Sequence, residues 1–356
     1  MNRKSVVTQL IATLGLSDKL QLVERVVQKA RSLDSSLNAP YDPYRVLERF
    51  RVPITFRDIM DDGFTARVQD LVKLDCSMAT RTETQILNRL ADNPFVVVLR
   101  ALPRHSSTSE LRRRRFTAAH EMAHVLLRTE ALTCVPELDF LTDDFEEEDI
   151  CNRVASEFLL PADTLRSDFL ALGMHCDSIE KLLNKYAVSL TCLLRKAIEL
   201  YPEQRFAAGI YQTSNDGCAS SVNYITPTDH RWIAHSVYAL DMTCASAQHE
   251  KREPLGRLFT IRIGERLARW YCESLRLGAG GWTLLIFGDP EYLPFDLRLM
   301  EHRSEKFLDL GCLENLGQSK KSSRVFADLI RKMPPGKASS PALGPGFAYR
   351  RNLRGT

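Results

Sequence analysis

No apolar run in these 356 residues approaches the roughly 18 needed to span a bilayer, so no transmembrane helix is expected. There is no C-x-x-C pair and no internal repeat, which removes ribbon-type zinc sites and solenoids. The glycine-rich stretch Gly278–Gly281 lacks the Lys-Ser/Thr of a phosphate-binding loop. Nine cysteines, odd in number and scattered, argue against a disulfide framework and for reduced thiols in a cytoplasmic protein. The apolar stretch Val6–Leu16 is broken by Thr8, Gln9 and Thr13 and has no small-residue cleavage site, so it is not expected to be a signal peptide. Histidine is scarce, with eight in the chain.

What is present is ordinary globular composition, 44% hydrophobic and 26% charged, on a chain long enough for two or three domains. The net charge of +3 is unevenly divided. Ser319–Thr356 carries nine basic residues and one acid, so the tail is +8 and residues 1–318 sum to −5. The body is therefore mildly acidic and gives no nucleic-acid signal. The tail, rich in Pro and Gly, reads as solvated disorder with one helical pattern at Val325–Lys332.

Residues 1–35 read as helical, with Ser17 capping a helix whose apolar face is Leu20, Val23, Val27 and Ala30. A short helix at Tyr44–Phe50 precedes strands at Pro53–Phe56, Phe64–Val68 and Phe95–Arg100, then a polar loop at Arg104–Glu110. Helices are expected at Phe116–Arg128, Glu146–Leu160 and, as two short pieces, over 178–200. After Tyr201-Pro202 the texture changes. Strands at Phe206–Gln212 and Ala219–Ile225 flank an Asp216-Gly217 turn, a helix is read at Leu255–Arg276 or in its later part, and Trp282–Phe287 is strand-like.

The sharpest feature is His120-Glu121-Met122-Ala123-His124. On a helix, residues four apart share a face, so both histidines can chelate one ion. Glu121 can then take a proton from a metal-bound water, whose pKa zinc lowers to about 7. With so few histidines the pattern arises by accident in about one chain in a hundred. A catalytic zinc needs a third protein ligand, and Glu148, 24 residues on, is a candidate. Asn152 lies one turn after it, where its amide can support a ligand. Glu146, Glu147 and Asp149 are rivals, because an acidic run also suits a solvated helix start.

Residues 114–127, RRFTAAHEMAHVLL, resemble the core motif of the ImmA/IrrE family of zinc metallo-endopeptidases, and so do residues 148–161, EDICNRVASEFLLP. The family's second pattern reads E-x-x-A-N-x-F-A-x-x-L-L-x-P. This chain carries Cys151 for the usual Ala, Val154 for Phe and Phe158 for Leu, all apolar exchanges. The resemblance covers about residues 40–165. It implies His120, His124 and Glu148 as Zn2+ ligands, Glu121 as the catalytic base, and Asn152 at the family's amide position. It implies an α+β fold: a zincin-like metallopeptidase domain with a small sheet, then a helix-turn-helix-like segment and an α/β GAF-like domain. The boundaries expected are a helical segment at 1–38, the peptidase at 39–168, the helix-turn-helix-like segment at 169–204, the sensor-like domain at 205–313 and the tail at 314–356. It also implies a substrate: a regulatory protein, often a helix-turn-helix repressor of the XRE type, cut in a stress or mobile-element response.

Phe95–Arg100 reads equally as an edge strand on which an extended substrate could pair or as an ordinary core strand, given its apolar run. Arg112–Arg115 could contact nucleic acid, but structural ion pairs with Asp143–Asp149 are the favoured reading. Residues 179–195 look like the turn of a helix-turn-helix, with Ser189 as a cap. Its second helix opens on Leu190, Thr191, Cys192 and Leu193, which suits packing better than base readout. His175-Cys176 lacks partners at ligand spacing. The competing class is a non-catalytic, peptidase-like regulator that binds DNA or a protein partner. The intact Glu121 argues against it, since a structural site needs no base.

Overall fold

The computed structural model describes residues 5–34, 39–68, 93–134 and 145–200, and six strands between residues 206 and 309. Asp143 and Asp144, the Asp216-Gly217 turn, Gly278–Gly281 and the tail with its pattern at Val325–Lys332 lie outside the described residues. The chain divides into two units, Met1–Pro202 and Glu203–Thr356.

The first unit opens with α1 (Val6–Leu14) and α2 (Lys19–Asp34). Ser5 caps α1, accepting from the Thr8 amide at 3.1 Å, and Gly15 ends it in the left-handed region at φ 65°. At α2 the cap is Asp18 rather than Ser17. Its carboxylate accepts from the amides of Leu20 at 2.8 Å and Gln21 at 3.0 Å, a stronger acceptor than a hydroxyl. Leu20, expected on the apolar face, is exposed, while Leu22, Val23, Val26, Val27 and Ala30 are buried. Helix α3 (Pro43–Arg49) follows, with Asp42 as cap and Pro43 in its first turn.

Strands β1 (Ile54–Arg57), β2 (Gly63–Arg67) and β3 (Phe95–Arg100) form a three-stranded sheet in the order β1-β3-β2. β3 is parallel to β1 and antiparallel to β2, with Thr65 opposite Val97. Of the two readings of this strand, edge or core, the structure shows the core one. Its apolar run is the reason: Phe95, Val96, Val97, Val98 and Leu99 are all buried, as a strand flanked on both sides and covered by a helix requires.

Helix α4 (Thr108–Cys134) carries both histidines and is longer at each end than its apolar pattern. A capping box starts it: the Glu110 amide donates to Ser107 Oγ at 3.3 Å, and Glu110 Oε2 accepts from the Ser107 amide at 2.7 Å. The expected polar loop therefore ends as the first turn of a helix. Ala118, Ala119 and Ala123 are buried, and side chains this small let neighbours approach closely. Against α4 lies α5 (Phe145–Leu159), which buries Ile150, Cys151, Val154, Ala155, Phe158 and Leu159 and stops before Pro161. Glu130 of α4 pairs with Arg25 and Lys29 of α2, and Glu157 of α5 pairs with Arg31, so α2 is tied to both.

Helices α6 (Ala162–Leu172), α7 (Cys176–Tyr186) and α8 (Leu190–Leu200) complete the unit. Ala187 turns the chain between α7 and α8 at φ 49°, and Ser189 Oγ accepts from the Cys192 amide at 3.2 Å. Leu193, Leu194 and Ala197 of α8 are buried, and Lys196 pairs with Glu157 at 2.9 Å.

The described strands of the second unit are β4 (Phe206–Thr213), β5 (Ala219–Ile225), β6 (Leu255–Ile263), β7 (Arg266–Leu277), β8 (Trp282–Gly288) and β9 (Lys306–Asp309). They form one sheet ordered β5-β4-β8-β7-β6-β9, antiparallel except where β9 joins β6. The helix expected over Leu255–Arg276 is instead the β6–β7 hairpin. Ile263 pairs with Arg266, leaving only Gly264-Glu265 between them, a pair that suits a two-residue connection. The apolar spacing Leu267, Tyr271, Leu275 imitates a helix, but Thr260, Ile261 and Ile263 are β-branched and favour the strand.

Candidate metal centre

Helical spacing puts His120 and His124 on one face of α4, and the crossing of α5 brings Glu148 to them. The three donor atoms close a triangle. His120 Nε2 and His124 Nε2 are 3.1 Å apart, Glu148 Oε2 is 3.1 Å from the former, and Glu148 Oε1 is 3.2 Å from the latter. A tetrahedral ion with bonds of about 2.0–2.1 Å has ligand–ligand edges of about 3.3 Å, so the triangle is the right size. The donor set, two imidazoles and a carboxylate, is also one that zinc accepts.

Each imidazole is oriented from behind. His120 Nδ1 faces Asn152 Oδ1 at 3.1 Å, and His124 Nδ1 faces Glu147 Oε1 at 2.6 Å. With Nδ1 facing these oxygens, the Nε2 atoms face the triangle, where each would offer its lone pair to a metal once Nε2 is deprotonated. Glu148 is 45% exposed and His124 only 5%, so the centre opens to solvent on the carboxylate side. That leaves a fourth position for water or substrate. Glu121, next to His120 in the chain, is buried, and Thr65 Oγ1 of β2 donates to its Oε2 at 2.8 Å.

The rivals of Glu148 go elsewhere. Glu146 bonds Lys19 at 2.8 Å, together with Ser5 and Thr8 at the start of α1. Asp149 is exposed and pairs with Arg153 at 3.0 Å. Glu147 belongs to a second, fully buried group with His124 and Cys151. Two groups of three metal-capable side chains occur among the described residues, and His175 and Cys176 are in neither.

Burial alone would lower the affinity of His124 for a proton. Cys151, Glu147 and Glu148 outweigh it and hold the imidazole well above its ordinary value. Burial pushes the Glu148 carboxyl up, but hydrogen bonds from His120 and His124 bring it far below the usual carboxylate range. Burial also raises the Cys151 thiol to about 11, so it stays protonated at neutral pH.

Sequence reasoning missed Thr65, Arg128 and the supporting role of Glu147. Arg128 could have been found, because it lies one turn beyond His124 on the same helix face. Thr65 is 56 residues from Glu121 and left no local signal. The arginine run makes structural contacts, and the partners seen among the described residues lie outside 145–149. Arg113 pairs with Asp62 at 2.5 Å, Arg112 donates to Asn184 Oδ1 at 2.7 Å, and Arg114 stacks on Phe56. Arg115 donates to the carbonyls of Tyr186 and Tyr41.

Residues 105–197, from just before α4 into α8, match a peptidase family model described as the IrrE N-terminal-like domain. The match supports a resemblance to the ImmA/IrrE family over this segment, and within it His120, His124 and Glu148 form a group able to hold a metal ion. No curated protein matches the chain. Among solved structures, a Mycobacterium tuberculosis transcriptional regulator aligns over 82% of this chain and 84% of its own, at 12% identity and a TM-score of 0.44. A likeness that slight transfers neither fold nor role. No helix among the described residues is long and apolar enough to cross a membrane.

Proposed function

We propose that this chain is a zinc-dependent endopeptidase that cuts one bond in a regulatory protein, a helix-turn-helix repressor of the XRE type, in a stress or mobile-element response. The observation that carries the reading is the triangle of two Nε2 atoms and one carboxylate, with Glu121 next to His120 in the chain and held by Thr65. His120, His124 and Glu148 hold the metal, and Asn152 orients His120. When bound, zinc supplies Lewis acidity, making water acidic near neutral pH and polarising a substrate carbonyl. Glu121 takes the proton on a carboxylate oxygen and delivers it to the leaving amine. Thr65 occupies Oε2, which leaves Oε1 for that transfer. The substrate strand aligns along β2 rather than β3, because β2 lies at the edge of the described sheet and carries the contact to Glu121. The repressor as target follows from family resemblance. The geometry supports hydrolysis more directly than it supports that target.

Purified protein is expected to contain about one zinc per chain. His120→Ala removes it. Glu121→Gln keeps it and lowers cleavage of a candidate repressor by at least about a hundredfold, since the base is lost and the ligands are spared. Full metal and full proteolysis in His120→Ala would overturn the reading.

A further inference from the structure

Behind the metal ligands lies a chain of buried contacts that ligation alone does not require. His124 and Arg128 are one turn apart on α4. Across from them Glu147 Oε1 accepts from both, at 2.6 Å from His124 Nδ1 and 2.7 Å from Arg128 Nε. The Glu147 side chain is 2% exposed and that of Arg128 13%. A carboxylate buried so deeply is costly unless a cation and hydrogen bonds compensate it, and Arg128 supplies both. The same guanidinium turns a second donor elsewhere: Nη1 reaches the main-chain oxygen of Thr65 on β2 at 3.1 Å. Thr65 is the residue whose hydroxyl meets Glu121. Its single hydrogen has two acceptors, Glu121 Oε2 at 2.8 Å and the Glu121 carbonyl at 3.2 Å. The nearer, charged oxygen is the stronger partner.

We infer that Glu147 and Arg128 are positioning residues: Glu147 locks His124 with Nε2 toward the metal, and Arg128 braces Glu147 while pinning β2 where Thr65 presents Glu121. This rests on the zinc-peptidase reading above. The tautomer follows from the geometry, because an Nδ1–H donating to a charged oxygen leaves the lone pair on Nε2. The double duty follows from the shape of arginine, whose planar fork aims donors in fixed, separate directions. A lysine ammonium lacks this planar fork and does not reproduce the two contacts in the same geometry. One side chain thereby couples the ligand side of the site to the base side, across two helices and a strand.

The test uses the full-length protein with zinc affinity read by competition with a chromophoric chelator, and thermal unfolding of the metal-free form as a control. Glu147→Gln and Arg128→Lys are expected to weaken zinc by about 10–100-fold while the metal-free protein stays folded. At saturating zinc, cleavage of a mixed peptide library should recover in Glu147→Gln, which leaves β2 pinned. It should stay several-fold low in Arg128→Lys, which does not. Wild-type zinc affinity in both variants overturns the inference, as does a loss confined to thermal stability. His120→Ala is the reference that separates the two readings. If it binds zinc like wild type, or if wild type binds none, the metal centre itself is wrong and the positioning argument falls with it. If His120→Ala loses zinc and the other variants do not, only the positioning argument fails.

Discussion

Three successive glutamates on the first turn of α5 read in sequence as one acidic patch, and the fold sends each to a different task. Glu146 anchors α1 through Ser5 and Thr8 and bonds Lys19, Glu147 backs His124, and Glu148 faces the two Nε2 atoms. Helical geometry explains the divergence, since neighbouring side chains point about 100° apart. The concentration of carboxylates has a consequence in solution. Without metal, Glu147, Glu148 and the nearby Cys151 hold a proton on His124 above its ordinary range. A metal needs the Nε2 lone pair, so binding must displace that proton. Because the folded value is raised, the proton is retained to higher pH than on an ordinary imidazole. Zinc binding near neutrality is therefore expected to release about one proton from His124. Affinity should fall steadily as pH drops from about 8 to about 6. Titration calorimetry in buffers of different ionisation enthalpy measures the release. A buffer-independent enthalpy, with affinity flat over that range, would contradict it.

At the level of elements, β2 must approach α4 closely enough for Thr65 to reach Glu121, and Gly63 sets that approach. A Cβ on Gly63 would lie 2.8 Å from Thr117 Cγ2, 2.9 Å from Leu99 Cδ2 and 3.0 Å from the Val98 carbonyl oxygen. The last is main chain in the central strand and cannot swing away. Gly63→Ala is thus expected to cost about 1–3 kcal/mol in denaturant unfolding. It should also lower turnover more than zinc affinity, because the shift falls on β2 and not on the ligands. Stability within experimental error of wild type would show the sheet to be more pliant than this packing implies. Elements like these were legible where one local signal dominated. The apolar run of β3 and the histidine spacing of α4 needed no tertiary information, and Pro161 marks the end of α5. Long-range partners were not legible. That β3 would be central, that Arg113 would find Asp62, and that Thr65 would meet Glu121 depend on which surfaces pack together. In β7 the local signal misled, because Leu267, Tyr271 and Leu275 satisfy a helical period while pairing with β6 and β8 decides for a strand.

On the scale of the whole chain, the family match and the folded unit have different extents. The match begins at residue 105, yet the helices bearing the site are held by residues well before it. Lys19 pairs with Glu146, Arg25 and Lys29 with Glu130, and Arg31 with Glu157, while β2 supplies the contact to Glu121. Every donor of the candidate metal centre and each of its supports, Thr65, Arg128, Glu147 and Asn152, lies within Met1–Pro202. Two truncations follow from this. A fragment ending at Pro202 is expected to fold and to bind zinc as tightly as the full chain. A fragment spanning 105–202 exposes the apolar faces that α2 and the sheet cover, and is expected to unfold or aggregate even with zinc present. Circular dichroism and chelator competition on both fragments decide the matter. The first fragment then asks what Glu203–Thr356 contributes. If that unit docks the substrate, the fragment keeps zinc but loses cleavage of the physiological target. If it holds the peptidase in check, the fragment cuts without the signal that full-length protein requires. A signal acts only through a difference in affinity between active and inactive states, so removing the unit should erase the response and not merely scale it. Should the fragment cut its target at the full-length rate, with the response to signal intact, the second unit neither docks nor gates.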